Sequence, residues 1–159
     1  MTHTAWLIEM KAALASSDRK PRQAVGHLRR LAQKAARVER ESITTWHIVE
    51  ALGAAAFILS ERRQHRQATA IFRAIIRRHA RQLAYHGNGI ASAFALAALE
   101  AFAAGNRKQG ARLVRQSIRW RGQFPNPDEL LERAMQELRA HEQRRAKHRV
   151  ASLCNREHR

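Results

Sequence analysis

The chain has few of the residues that interrupt helices or cross-link a fold. Cys154 is the only cysteine among 159 residues, which excludes an internal disulfide framework, a cysteine-rich zinc site and c-type haem attachment. The three prolines and seven glycines stand mostly at the edges of helical patterns. A single cysteine fits a reducing compartment, and we predict a cytoplasmic protein.

Two hydrophobic patterns are also missing. No segment alternates apolar and polar residues as a half-buried strand does, so the sequence predicts an all-α fold. The most apolar run, residues 90–104, falls short of the ~20 residues that a membrane-spanning helix needs, and we expect no membrane span. The first residues lack a positively charged region ahead of a long apolar stretch, so we expect no signal peptide.

Negative charge is scarce. Thirteen Asp and Glu face 30 Lys and Arg, which gives a formal net charge of +17 and an isoelectric point near 11.8. The basic residues extend from Arg19 to Arg159, so the charge belongs to the folded body as well as to the end of the chain. This imbalance predicts an anionic partner.

The length corresponds to one domain, since domains commonly run to about 100–200 residues. We assign residues 1–150 to a single all-α domain and residues 151–159 to a basic C-terminal tail. Helical periodicity and turn residues predict seven helices, near residues 3–16, 20–38, 42–63, 65–85, 89–104, 107–121 and 127–150.

Three stretches of the chain resemble one another. RQAVGHLRRL begins at Arg22, RQATAIFRAI at Arg66 and KQGARLVRQS at Lys108, at spacings of 44 and 42 residues. Each follows a turn and an alanine-rich helix, so the repeating unit is predicted to be a helical hairpin. A small residue one turn before a large apolar one suits close helix crossing. The equivalent positions are Ala24, Ala68 and Gly110, then Leu28, Phe72 and Val114, and, on the preceding helices, Ala12, Ala56 and Ala98.

This pattern resembles the tetratricopeptide (TPR) family, in which a small residue in the first helix precedes A-x3-F in the second. Ala56 with Ala68-x3-Phe72 carries the resemblance, which covers about residues 5–122. It implies a right-handed solenoid of about three hairpins with a C-terminal capping helix, and a non-enzymatic scaffold. In that family the first helices line a peptide-binding groove. Transferred to this chain, the groove positions are Ala54, Phe57, Leu96, Leu99 and Phe102, with Trp6, Met10 and Glu50 as further positions.

The basic residues of the second helices fall in one sector of each helix. Counted at ~100° per residue from Phe72, Val114 and Leu28, they lie beside the apolar stripe. Stacked hairpins would align them into rows on the convex side. Arginine outnumbers lysine 25 to 5, so a solvated face filled through coding bias is the alternative interpretation. We call the set the basic stripe: Arg22, Arg29, Arg66, Arg73, Arg77, Lys108, Arg115 and Arg119.

Two functions fit this charge. The leading hypothesis is a non-enzymatic adaptor or chaperone-like module that binds an acidic protein or peptide segment through the apolar groove and the basic stripe. The alternative is an accessory protein that binds nucleic-acid phosphates without base specificity. Aromatic residues are not interleaved with the arginines, which does not favour base stacking.

Little in the sequence supports catalysis. His47 and Glu50 are one helical turn apart, but no third metal ligand is identifiable, and His79 lies on an apolar stripe as a core histidine does. Glu100 stands alone in an apolar helix and is expected to pair with an arginine or to face the groove. We therefore predict no catalytic residue, no metal site and no cofactor.

Overall fold

The computed structural model of the chain describes residues 2–37, 42–85, 89–121 and 129–157, which form seven α-helices. Six of them match the predicted ranges to within two residues. The last was expected near 127–150; the structure has it from Glu129 to Glu157, and residues 127–128 lie outside the described residues. The helices are α1 (His3–Ala15), α2 (Pro21–Arg37), α3 (Ser42–Glu61), α4 (His65–Tyr85), α5 (Gly89–Ala103), α6 (Arg107–Arg121) and α7 (Glu129–Glu157).

Each described helix packs against its neighbour in the chain. Short connections turn successive helices antiparallel, and α7 packs against both α5 and α6. The all-α prediction is confirmed, and the packing is consistent with helical hairpins. Helix α4 leaves helical geometry at one point, His79, where φ is −125° and ψ is 17°.

Small residues bring the helices close together. Ala24, Ala68 and Gly110 are all buried, as their predicted equivalence requires. At Gly110 the approach is closest, because an added Cβ would lie 2.7 Å from the ring of Phe102 on α5. The large apolar partner one turn later is buried in all three cases, at Leu28, Phe72 and Val114.

The equivalence weakens at the first helix. Ala56 and Ala98 are fully buried, but Ala12 is exposed and Ala13 is buried in its place. Helix α1 packs mainly against α2, whereas α3 and α5 lie between two helices. A helix with a single principal neighbour buries a narrower face, so a residue that is interior elsewhere reaches the surface here.

Two turns end in the same hydrogen-bonding pattern. Gly105 has φ of 77°, and the N–H of Asn106 donates to the carbonyl of Ala101 at 2.8 Å. After α3, Arg63 takes the equivalent left-handed conformation with φ of 57°, and the N–H of Gln64 donates to Leu59. A glycine adopts this conformation without strain, whereas a side chain costs about 1 kcal/mol.

A histidine joins α1 to α3. His47 is 8% exposed and stacks against Trp6, with ring centroids 4.5 Å apart. Its Nε2 lies 2.9 Å from Nδ1 of His3. Burial lowers the pKa of His47 and the nearby His3 lowers it further, whereas Glu50 raises it. The neutral imidazole is therefore the form that fits this packing.

We expect Arg63→Gly to raise the free energy of unfolding by up to about 1 kcal/mol, because it removes left-handed strain at an exposed position. Gly105→Ala introduces the same strain and should lower stability by a similar amount. Urea denaturation followed by circular dichroism measures both changes. A loss of stability in Arg63→Gly would contradict the assignment of strain to this turn.

Mild acid should destabilise the fold through two histidines, His47 and His79. Burial lowers the pKa of His79 as well as that of His47, from the usual 6.5. Between the lowered pKa of the folded state and 6.5, the unfolded chain binds more protons than the folded chain. The free energy of unfolding therefore decreases as the pH is lowered through this range. We expect the urea concentration at the midpoint of unfolding to be lower at about pH 5.5 than at about pH 8. His47→Phe keeps an aromatic ring on Trp6 and should flatten that drop; an unchanged slope in this variant would remove His47 as a cause.

Candidate functional site

Charge is separated between alternate helices. Helices α2, α4 and α6 carry five, five and six Lys or Arg residues and no Asp or Glu. Helices α3 and α5 carry no Lys or Arg; their acids are Glu50, Glu61 and Glu100. The cause lies in burial: α5 is an alanine-rich helix enclosed by α4, α6 and α7, where an unpaired charge would be costly. The even-numbered helices each keep one exposed face, and the arginines occupy it.

All eight residues of the basic stripe are exposed and lie on these three helices. Six of them also line clefts between neighbouring even-numbered helices. Arg115 and Arg119 line neither the clefts between α2 and α4 nor those between α4 and α6. Arg115 faces Glu142 of α7 at 3.7 Å.

Two clefts lie between α2 and α4. One, of about 600 Å³, has Arg22, Arg29 and Arg62 around a floor that includes Ile58 and Leu59 of α3. The guanidinium of Arg62 donates to the backbone carbonyl of Asp18 at 2.9 Å, which holds this side chain in place. The second shares Arg29 with the first and is more apolar, with Arg78 and His79 at its edge and a floor from Ile48, Leu52 and Ile71.

Two further clefts lie between α4 and α6. The smaller has Arg66 and Arg73 on one side and the turn at Gly105 on the other. The larger, of about 550 Å³, shares Arg73, Asn106 and Gln109 with it, so the two are neighbouring parts of one groove. We call the larger part the tetrabasic cleft, because its lining includes four cationic side chains: Arg73 and Arg77 of α4 with Lys108 and Arg112 of α6.

Among the described residues that line these four clefts there is no carboxylate. Within the part of the chain that the structure describes, none of the four cations of the tetrabasic cleft has a hydrogen bond or ion pair to a protein group. The acids of α7 meet α6 elsewhere: Glu132 pairs with Arg121 at 2.9 Å and Glu142 faces Arg115. The four cations of the tetrabasic cleft therefore form a concentrated positive charge that has no ion-pair partner among the described residues.

The predicted apolar groove has a different setting. Phe57 is 50% exposed, and its ring meets the edge of Phe72 with centroids 5.7 Å apart. Ala54, Leu96, Leu99 and Phe102 are half-buried against the core. None of these five residues lines any of the four clefts. Trp6 and Met10, named as further groove positions, are buried at 1% and 6% exposure and are core residues.

Glu100 has partners that the sequence did not indicate. One carboxylate oxygen accepts a hydrogen bond from Ser60 Oγ at 2.6 Å, and the other lies 2.9 Å from Nδ1 of His65. The expected arginine is not among the described partners, and the side chain is only 12% exposed. The carboxylate bridges Ser60 and His65, whereas in a hydrolytic triad the histidine stands between the other two. This arrangement joins α3, α4 and α5 around the α3–α4 turn.

The two residues considered as metal ligands, His47 and Glu50, have different surroundings in the fold. His47 turns toward His3 and Trp6, while Glu50 is exposed. Among the described residues, no group of three or more His, Cys, Asp or Glu side chains is placed to hold a metal ion. In the same residues, no helix is long and apolar enough to cross a membrane.

Three cations that line the clefts lie outside the predicted basic stripe: Arg62, Arg78 and Arg112. Arg112 follows Lys108 by four residues, the spacing at which two side chains share a helix face, and that spacing was a usable signal. Arg78 precedes the irregular residue His79, where a regular helical count no longer gives the direction of a side chain.

Comparisons of this chain with known protein families, with characterised proteins and with solved structures found no match. The chain is therefore described by its own geometry: an all-helical protein of sequentially packed helices, with a cationic face on α2, α4 and α6.

Repulsion in the tetrabasic cleft should lower stability at low ionic strength. Arg73 and Arg77 are one turn apart, and a like-charged pair at this spacing costs about 0.2–0.5 kcal/mol. We expect Arg77→Gln to raise the free energy of unfolding by about that amount at ~0.01 M salt, with the gain disappearing near ~1 M, where the Debye length is ~3 Å.

The matched control for this measurement is Arg139→Gln on α7. It removes the same charge from an exposed position that Glu142 follows by three residues, so no gain is expected. Equal gains in the two variants would show that the change in the free energy of unfolding comes from the net charge and not from repulsion in the cleft.

Proposed function

We propose that this protein is a non-enzymatic adaptor or chaperone-like module, and that it binds an acidic protein segment through the face formed by α2, α4 and α6. The observation that carries the proposal is that the described parts of these three helices hold many arginines and no carboxylate, and that the arginines border clefts with partly apolar floors. The proposed architecture is a divergent TPR-like, right-handed solenoid of about three hairpins, capped by α7.

Contacts between alternate helices support that architecture. The ring of His47 on α3 stacks against Trp6 of α1, and Ser60 of α3 bonds to Glu100 of α5. Helix α7 contacts both helices of the last hairpin, as a further first helix or a capping helix would. The buried equivalents Leu28, Phe72 and Val114 repeat the same packing position in each hairpin.

The composition of the clefts indicates the chemistry of the partner. Arginine forms bidentate hydrogen bonds with carboxylates, and such charge-assisted bonds are stronger than neutral ones. Apolar floors such as Ile76 with Leu113, or Ile58 with Leu59, offer burial to aliphatic side chains of the same segment. A segment that carries both acidic and apolar residues would use both features.

Nucleic acid is the alternative ligand class. The number of unpaired arginines favours it, since each phosphate contact releases counterions. The clefts work against it: among the described lining residues Phe94 is the one Phe, Tyr or Trp, whereas successive bases stack on a series of such rings. Apart from its thymine methyl groups, a duplex also has no aliphatic side chains to bury against the apolar floors. We therefore place the acidic segment first.

The test uses three degenerate peptide libraries passed over the immobilised protein: acidic with apolar residues, acidic without apolar residues, and basic with apolar residues. We expect the first to be retained most strongly. Arg22→Glu with Arg66→Glu, which changes two cleft residues outside the tetrabasic cleft, should weaken its binding by about tenfold or more.

Arg133→Glu with Arg139→Glu is the matched control, because it makes the same charge change on exposed positions of α7. It should leave retention nearly unchanged. Phe57→Asp alters the predicted apolar groove and should also spare binding. If Phe57→Asp abolishes retention while the Arg22 and Arg66 changes do not, the segment binds in that groove and the proposed face is wrong.

Titration with duplex DNA distinguishes nucleic-acid binding from binding of an acidic protein segment. For a nucleic-acid binder the affinity falls with salt at a log–log slope near −0.9 per phosphate contacted, and DNA should displace the acidic library. Tight, steeply salt-dependent DNA binding together with no preference among the peptide libraries would replace the adaptor proposal with the nucleic-acid one.

A further inference from the structure

The tetrabasic cleft differs from its neighbours in charge density. Arg73 and Arg77 are four residues apart on α4, and Lys108 and Arg112 are four residues apart on α6. Each pair therefore occupies one face of its helix, and the two faces border the same cleft of about 550 Å³. The large cleft between α2 and α4 has three arginines, and one of them, Arg62, is engaged by the carbonyl of Asp18.

One carboxylate does not neutralise the positive charge of this cleft. A glutamate or aspartate brings a single negative charge, whereas four cations that have no partner among the described residues surround the space. A phosphorylated side chain carries about −1.5 to −2 charges at neutral pH and three strong acceptor oxygens. Clustered arginines are the usual means by which proteins take such a group, because each guanidinium offers several donors in a fixed plane.

Neutral parts of the cleft fit the same ligand. Gln116 and Gln109 bring side-chain amides to the lining, and amide N–H groups donate to phosphate oxygens. Ile76, Phe94 and Leu113 form an apolar region beside the cations. The cleft therefore combines an anion-binding wall with a place for an aliphatic side chain next to the anion.

We propose that the tetrabasic cleft binds a phosphorylated serine or threonine of the acidic segment, with a neighbouring apolar residue of that segment against Ile76 and Leu113. This inference rests on the proposed function, since it assigns one residue of the ligand to one part of the same face. Phosphorylation of the partner then acts as the signal that strengthens its binding.

The experiment compares four degenerate peptide libraries with acidic and apolar flanking positions, identical except for a fixed central serine, glutamate, phosphoserine or phosphothreonine. Retention on the immobilised full chain is measured, and the retained peptides are sequenced. We expect the phosphorylated libraries to bind about tenfold or more tightly than the serine library, since charge-assisted bonds replace neutral ones. Apolar residues should be enriched beside the phosphorylated position, and inorganic phosphate should compete.

Arg77→Gln with Arg112→Gln removes one cation from each wall of the cleft. This variant should lose the preference for phosphorylated over serine peptides, measured as the ratio of the two affinities, whatever affinity it retains for the serine library. Arg133→Gln with Arg139→Gln on α7 is the control and should keep the preference. Circular dichroism melting curves confirm that both variants fold.

Two results would overturn the inference while leaving the proposed function intact: equal affinity for glutamate and phosphoserine libraries, or a phosphopeptide preference that survives the Arg77 and Arg112 changes. Failure of every acidic library to bind would overturn both proposals together. DNA binding with no phosphopeptide preference would assign the cleft to nucleic-acid phosphates and overturn the inference as well.

Discussion

Close packing of alanine-rich helices is the constraint on which the rest of this structure depends. Helix α5 is buried on most of its circumference, and Ala95, Ala97, Ala98 and Ala101 have no exposed surface. Such a helix accepts neighbours on several sides only if its side chains are small. Gly110 shows the limit, because even a methyl group there would collide with the ring of Phe102.

The distribution of charge follows from this packing. Helix α5, enclosed by α4, α6 and α7, has no room for a solvated guanidinium. Lys and Arg are absent from α3 and α5 and collect on α2, α4 and α6. These three helices also border the clefts, whose floors come partly from the odd-numbered helix between them, as at Ile58 and Phe94. Concentrated positive charge and partly apolar clefts thus arise from one arrangement, and together they form the surface to which we assign binding.

A few polar contacts connect the helices to one another. Glu100 joins three helices through Ser60 and His65, and His47 joins α3 to α1 through His3 and Trp6. At the exposed edge, Glu9 of α1 lies 3.0 Å from Lys34 of α2, whose hydrogen bond lowers the pKa of the Glu9 carboxyl. None of these contacts involves a cation of the tetrabasic cleft, and those four cations have no described protein partner.

The sequence by itself determined the helices and much of the packing. Periodicity and turn residues located the ends of the first six helices, and the repeats identified Ala68 with Phe72 and Gly110 with Val114 as buried pairs, because these signals depend on spacing within one helix or one hairpin. The exposure of the basic stripe was predictable for the same reason. Only the tertiary structure decided that Arg77 and Arg112 border one cleft, that Glu100 meets Ser60 and His65, and that His47 meets Trp6. Those encounters depend on the offset and angle between helices, which the fit of many side chains sets together, and a pattern along one helix does not contain that information.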